Sequence, residues 1–172
     1  TEHEGNSIFW EGLPYTIGGL RLLTLALDSL NKTDVSLQVL TDLQYFKFLG
    51  NYVKGDTQKL LDKTLGKSAI NTQLIPWSLE NVQKSVLKST FAVLPLDPEG
   101  PLNILKAENR LLIMWRLGLP VLTSPSLAYS RVMSSLGLNG ICDDSSIWTL
   151  KINEFLSSTS VLKENVVLQG TP

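Results

Sequence analysis

Histidine and cysteine are nearly missing from this chain of 172 residues, which holds only His3 and Cys142. One cysteine excludes an internal disulfide and a cysteine-cluster metal site, and a lone histidine near a terminus cannot build a histidine-rich one. No metal site is therefore expected. Cys–His catalysis is excluded too, so any chemistry must use carboxylates, the substrate itself or a partner domain. Charge of one sign is equally scarce. The 15 Lys+Arg face 16 Asp+Glu, a formal net charge of -1, with no long basic run. Phosphate neutralisation along a duplex needs clustered Lys and Arg, so no nucleic-acid partner is expected. Long apolar runs are missing: nothing approaches the roughly 18 to 20 residues that span a bilayer, and the first ten residues lack a signal-peptide profile. The expected location is cytoplasmic, with no transmembrane segment and peripheral membrane contact left open. A start at Thr1 suggests a piece excised from a longer protein. What remains, 43% hydrophobic and 18% charged, describes one ordinary globular domain.

Along the chain, short apolar runs alternate with helical patterns, which predicts an α/β sheet. Strands are expected at 7–10, 35–41, 73–77, 91–96, 120–124 and, very short, 140–142. Leu20, Leu23, Leu27 and Leu30 fall at helical spacing, so a helix is expected from Gly18 or Gly19. The stretch 42–65 reads as two amphipathic pieces interrupted by Gly50 and Gly55. Ser78 is placed to cap a helix over 79–88. Asp97-Pro98-Glu99-Gly100-Pro101 must be a loop, because two prolines and a glycine in five residues forbid a regular element. A long helix is expected over 102–117, ended by Gly118, and two more over 127–136 and 146–156. The tail at 157–172 is polar. About six strands separated by helices make a Rossmann-like, doubly wound parallel sheet in three α/β/α layers the natural architecture. With the order 3-2-1-4-5-6, the chain reverses between the first and fourth strands, and ligands bind at such reversals, outside the carboxyl ends of the strands. Glu11-Gly12 would line one side of that crevice and 95–100 the other.

Several residues can carry chemistry there. Gly12, Gly18 and Gly19 would let the backbone approach a phosphate, or simply form a turn and a helix start. On the expected long helix, Lys106, Asn109 and Arg110 stand at i, i+3 and i+4 and share a stripe, which either faces the crevice or faces water. Trp77, ending the third strand, would meet a base or pack at the rim. Trp10 and Trp115 read as packing residues and Cys142 as a small buried hydrophobe. Glu99 and Glu108 cannot be placed together from sequence.

The stretch 91–124, FAVLPLDPEGPLNILKAENRLLIMWRLGLPVLTS, resembles the carboxyl-terminal, donor-binding domain of GT-B glycosyltransferases. In that family a strand ending in proline leads through a loop to a Lys-x-x-Asn-Lys/Arg helix and then a Gly-x-Pro-Val turn. The matches are Pro95, Lys106, Asn109, Arg110, Gly118, Pro120 and Val121. The segments SIFWEG and LIPWSLENV resemble the family's first strand and its base-binding strand, so that 7–156 is covered. The resemblance implies a nucleotide-diphosphate-sugar donor, no further cofactor, and an acceptor (glycan, lipid or other) held by an N-terminal domain absent from this chain. It assigns Gly12, Lys106 and Arg110 to phosphate, Asn109 to phosphate or sugar and Trp77 to the base. Pro95 joins them as a match to the motif, and Glu99, out of register with the motif, is placed toward the sugar from the loop. The common retaining branch has two glutamates in this stretch, and anchoring on Gly118-Leu119-Pro120 puts Leu105 and Ile113 at those positions. No catalytic residue is therefore assigned, and the stereochemistry stays open. The isolated domain is expected to be inactive in transfer. The alternative is a non-catalytic Rossmann-like module for nucleotide binding or assembly.

Overall fold

The computed structural model describes residues 7–30, 33–47, 50–66, 70–97, 99–100 and 106–157, with the backbone alone at Lys47 and 50–52. Strand β1 (Ser7–Glu11) leads into a 3-10 helix (Pro14–Leu23) continued by α1 (Thr24–Ser29). β2 (Ser36–Thr41) is followed by a hairpin, β3 (Gln44–Lys47) and β4 (Gly50–Asp56), and by α2 (Thr57–Leu65). Then come β5 (Asn71–Pro76), α3 (Leu79–Lys88), β6 (Ser89–Leu94), α4 (Asn109–Arg116), β7 (Val121–Thr123), α5 (Leu127–Ser135) and α6 (Ser145–Ser157). Five parallel strands form one sheet in the order β5-β2-β1-β6-β7. This is the expected doubly wound order, with its reversal between β1 and β6. The sixth strand is reduced to a single parallel bridge from Ile141 to Thr123.

Alternation along β1 sorts the core into two layers, since successive side chains in a strand face opposite ways. Ile8 and Trp10 join the leucines of the 3-10 helix and α1, together with Trp148 and Ile152 of α6. Phe9 joins Leu94, Leu111, Met114 and Tyr129 under α4 and α5. Both faces of the sheet are covered, as a parallel sheet requires.

Three expectations change in detail. The leucine helix begins as a 3-10 helix because its buried residues Pro14, Ile17, Leu20 and Leu23 are spaced by three, which stacks them along one line when the helix has three residues per turn. The first half of 42–65 is a hairpin: Gln44-Tyr45-Phe46-Lys47 is rich in aromatic residues that suit strands, and Tyr45 lies over its partner Gly55. Asp56 then caps α2, accepting from the Lys59 amide at 3.0 Å. The long helix is shorter than its pattern, since 106–108 are not helical and α4 begins at Asn109. Glu108, at its N-cap, turns its carboxylate to Arg131 (3.1 Å) and caps no amide of the helix. The first residues of the expected helix, 102–105, lie outside the described residues, as do Pro98 and all of the tail beyond Ser157.

Other local readings hold. Ser78 caps α3, its Oγ accepting from the Asn81 amide at 3.1 Å. Gly118 ends α4 at φ 77°, where any other residue would be strained, while the Leu119 amide returns to the Met114 carbonyl at 3.0 Å. Ser126 caps α5 from a buried position, accepting from the Tyr129 amide at 3.1 Å. Ser126→Ala is expected to lower stability by about 1 kcal/mol in urea unfolding. Cys142 is fully buried and burial pushes its thiol up to about 12. It should resist alkylation at pH 8 in the native protein and react once the chain is unfolded in denaturant.

Candidate ligand-binding site

At the chain reversal, the carboxyl ends of β1 and β6 open toward two connecting segments, one at 12–13 and one that follows Leu94, described at 95–97 and 99–100. Gly12 sits at the first of these. A Cβ there would lie 2.8 Å from Thr16 Oγ1, 2.9 Å from Trp10 Cζ2 and 3.0 Å from Arg110 Nη2. The space that a side chain would fill is thus the meeting point of three others. Arg110, in the first turn of α4, reaches back over the end of β1. Its Cζ stands 5.8 Å from the Trp10 ring centroid and its Nε 3.9 Å from Glu11 Oε2.

The guanidinium is under-satisfied. Arg110 Nε and Nη2 are buried and make no hydrogen bond, and the same holds for Trp10 Nε1 and Thr41 Oγ1 at the same end of the sheet. Burial lowers the Arg110 pKa, opposed by the charge of Glu11 and then by Tyr129, but an arginine remains charged at neutral pH. Tyr129 is itself pushed up by burial. Buried donors are almost always paired in native proteins. Buried donors without partners at a chain reversal, Arg110 Nε and Nη2, are therefore suited to an acceptor that arrives with a ligand.

The second loop is tied down by Arg21, which the leucine pattern passes over. Its Nη2 bonds Asp97 and lies 3.2 Å from Glu99 Oε2. The Glu99 amide donates to Asp97 Oδ1 at 3.0 Å. Asp97, then Glu99, raise the Arg21 pKa through these bonds. Gly18 and Gly19 serve this loop. A Cβ on Gly19 would stand 2.5 Å from the Pro95 carbonyl oxygen, and one on Gly18 2.6 Å from Asp97 Oδ2.

Of the expected site residues, Gly12 and Arg110 meet directly, while Pro95 lies against Gly19 and Glu99 pairs with Arg21, both on the 3-10 helix. Asn109 is exposed at the start of α4. Lys106 precedes that helix, so the i, i+3, i+4 stripe is not formed; its carbonyl accepts from Ser126 Oγ at 3.3 Å. Trp77 follows β5, its amide bonded to the Thr41 carbonyl at 3.1 Å and its side chain half exposed. It lies two strands from β1, roughly 10 Å away. Arg21, Asp97 and Trp10 were not legible as site residues. Arg21 and Asp97 are 76 positions apart, and only the topology joins them.

No family model matches the chain, and no curated protein matches it. Solved structures do. WaaG, a glycosyltransferase involved in lipopolysaccharide biosynthesis, matches 98% of this chain at 15% identity and a TM-score of 0.71, over 43% of its own length. The catalytic domain of cholesterol-α-glucosyltransferase from Helicobacter pylori matches at 13% identity and 0.65, covering 96% of both chains. The C-terminal CMP-Kdo binding domain of WaaA from Acinetobacter baumannii matches at 13% identity and 0.54, covering 96% of this chain and 90% of that one. The chain therefore has the Rossmann-like α/β fold seen in these glycosyltransferase structures. The chain spans less than half the length of WaaG. Among the described residues no helix is long and apolar enough to cross a membrane.

Proposed function

We propose that this chain is the donor-binding half of a glycosyltransferase, taking a nucleotide-diphosphate sugar at the crevice between β1 and β6. The observation that carries the reading is that Arg110 Nε and Nη2, at the chain reversal, are buried and make no hydrogen bond. An anionic diphosphate supplies the acceptors that the chain withholds from it, in a geometry that a guanidinium meets with two parallel bonds. Gly12 keeps the approach open, and Lys106 and Asn109 stand at the adjoining start of α4, whose free amides favour an anion. Pro95 and Glu99 belong to the loop that faces the sugar, and Trp77 takes the base at the far side. As the glycosyl bond breaks, negative charge grows on the leaving diphosphate, and the Arg110 guanidinium already bonded to it offsets that charge. The acceptor, and any group that takes its proton, belong to an N-terminal domain outside this chain.

Calorimetric titration with UDP, GDP, ADP and dTDP and matching sugar nucleotides tests the reading. One diphosphate is expected to bind selectively, and the isolated chain should show little transfer. Silence across the panel would favour a non-catalytic module, and robust transfer by this chain alone would sink the two-domain account.

A further inference from the structure

Arg110 has two features that a fixed ligand-binding arginine would not combine. It is held, by the Trp10 ring at 5.8 Å and Glu11 at 3.9 Å. It is also unsatisfied, with Nε and Nη2 buried and making no hydrogen bond, although the side chain as a whole is 26% exposed. Glu11 at 3.9 Å is too far to accept a hydrogen bond from Nε. A cation–π contact at 5.8 Å and a charge at 3.9 Å are weak restraints compared with two charge-assisted hydrogen bonds. A buried N–H without a partner adds a cost that any conformer placing it against an acceptor would remove. The seat is also specific. Gly12 is the residue that leaves room for Nη2 beside Trp10 and Thr16, since a Cβ at position 12 would stand 3.0 Å from it.

We infer that Trp10 and Glu11 are positioning residues that hold Arg110 in a reserve position, and that an oxyanion draws the guanidinium off the indole to form a bidentate contact. This rests on the reading of the crevice as a diphosphate site and adds to it a movement. The site then favours anions that can form two bonds over those that form one. It opens to a ligand with paired phosphoryl oxygens. Glu11 competes with the ligand for the same charge, and Trp10 gives the free state a defined geometry.

The test follows the Nε–Hε resonance of Arg110 in the 15N-labelled chain, assigned by its disappearance in Arg110→Lys, during titration with inorganic pyrophosphate. Calorimetry on the same samples reports binding independently. In the free chain the Hε signal should be shifted upfield by the Trp10 ring current and protected from exchange. At saturation it should move to the position of an unstacked arginine. Glu11→Gln, at a quarter-exposed site that leaves the core untouched, should move the free-chain signal part of the way in the same direction. Binding by calorimetry with the Arg110 signal still upfield would overturn the movement and leave the diphosphate site standing. No upfield shift in the free chain would also overturn it. Failure of pyrophosphate and of every nucleoside diphosphate to bind would overturn the site and the movement together.

Discussion

Arg110→Met is expected to weaken binding of the preferred nucleoside diphosphate by roughly ten- to a hundredfold, the equivalent of about 1.5–3 kcal/mol for hydrogen bonds to a charged group. The fold should lose nothing. Methionine keeps an apolar stem against Trp10, while the substitution removes two buried N–H groups that the native chain leaves unpaired. The Glu11 carboxylate left behind is a quarter exposed, so water takes over the lost 3.9 Å ion pair at little cost. The urea midpoint is therefore expected to stay the same or rise while calorimetry shows the loss of binding. A structural arginine would behave in the opposite way: its removal would lower the midpoint and leave ligand affinity untouched. Parallel measurement of both quantities on one variant separates the two roles.

Gly19→Ala is expected to cost about 1–3 kcal/mol of stability, in the range of overpacked sites, and to weaken nucleotide binding at the same time. Its Cβ would meet the Pro95 carbonyl oxygen at 2.5 Å, the Pro95 carbonyl carbon at 3.0 Å and the Asp97 amide at 3.3 Å. All three are backbone atoms, so no side chain can turn aside. Either the 3-10 helix or the loop after β6 must shift, and a shift of the loop carries Asp97 away from Arg21. Gly18→Ala is the informative comparison. There the obstacle is Asp97 Oδ2, the end of a side chain. Urea unfolding should show a smaller loss for Gly18→Ala than for Gly19→Ala, and an equal loss would argue against backbone contact as the cause.

The sheet was legible because its physics is local. Most strands are short apolar runs bounded by turn residues, the crossovers show helical spacing, and the order 3-2-1-4-5 is one of the few doubly wound orders that parallel crossovers permit. Ser78 and Gly118 were readable because a cap needs a particular side chain or a particular φ at one position. The start of α4 was not. Lys106, Asn109 and Arg110 carry the spacing of a helix, but helix formation also needs the backbone around them to be free of other commitments. The Lys106 carbonyl instead takes a hydrogen bond from Ser126, 20 residues away. The 3-10 helix was legible only in part, because Leu20 and Leu23 suit either period and the decision rests with Pro14 and Ile17.

The candidate site divides in the same way. Gly12 and Arg110 were reachable from a motif and from the rule that ligands gather at chain reversals. Trp10 reads from the sequence as a packing residue, which its complete burial supports. Its second role, as the surface beneath Arg110, depends on the missing side chain at Gly12. The Arg21–Asp97 pair joins two segments that nothing in the linear sequence connects, and 3-10 geometry brings Gly18, Gly19 and Arg21 to one loop. Long-range ion pairs of this kind are written in topology rather than in spacing.

The central claim is that a diphosphate binds where β1 and β6 diverge. Backbone amide chemical-shift mapping of the 15N-labelled chain with the diphosphate selected by calorimetry tests it most directly. The account predicts that the largest changes fall on Gly12, on Thr16 to Gly19 and on the first turn of α4 at Asn109 and Arg110, and that they vanish in Arg110→Met. Saturable binding whose shifts centre elsewhere, on the β3–β4 hairpin or along α6, would contradict it.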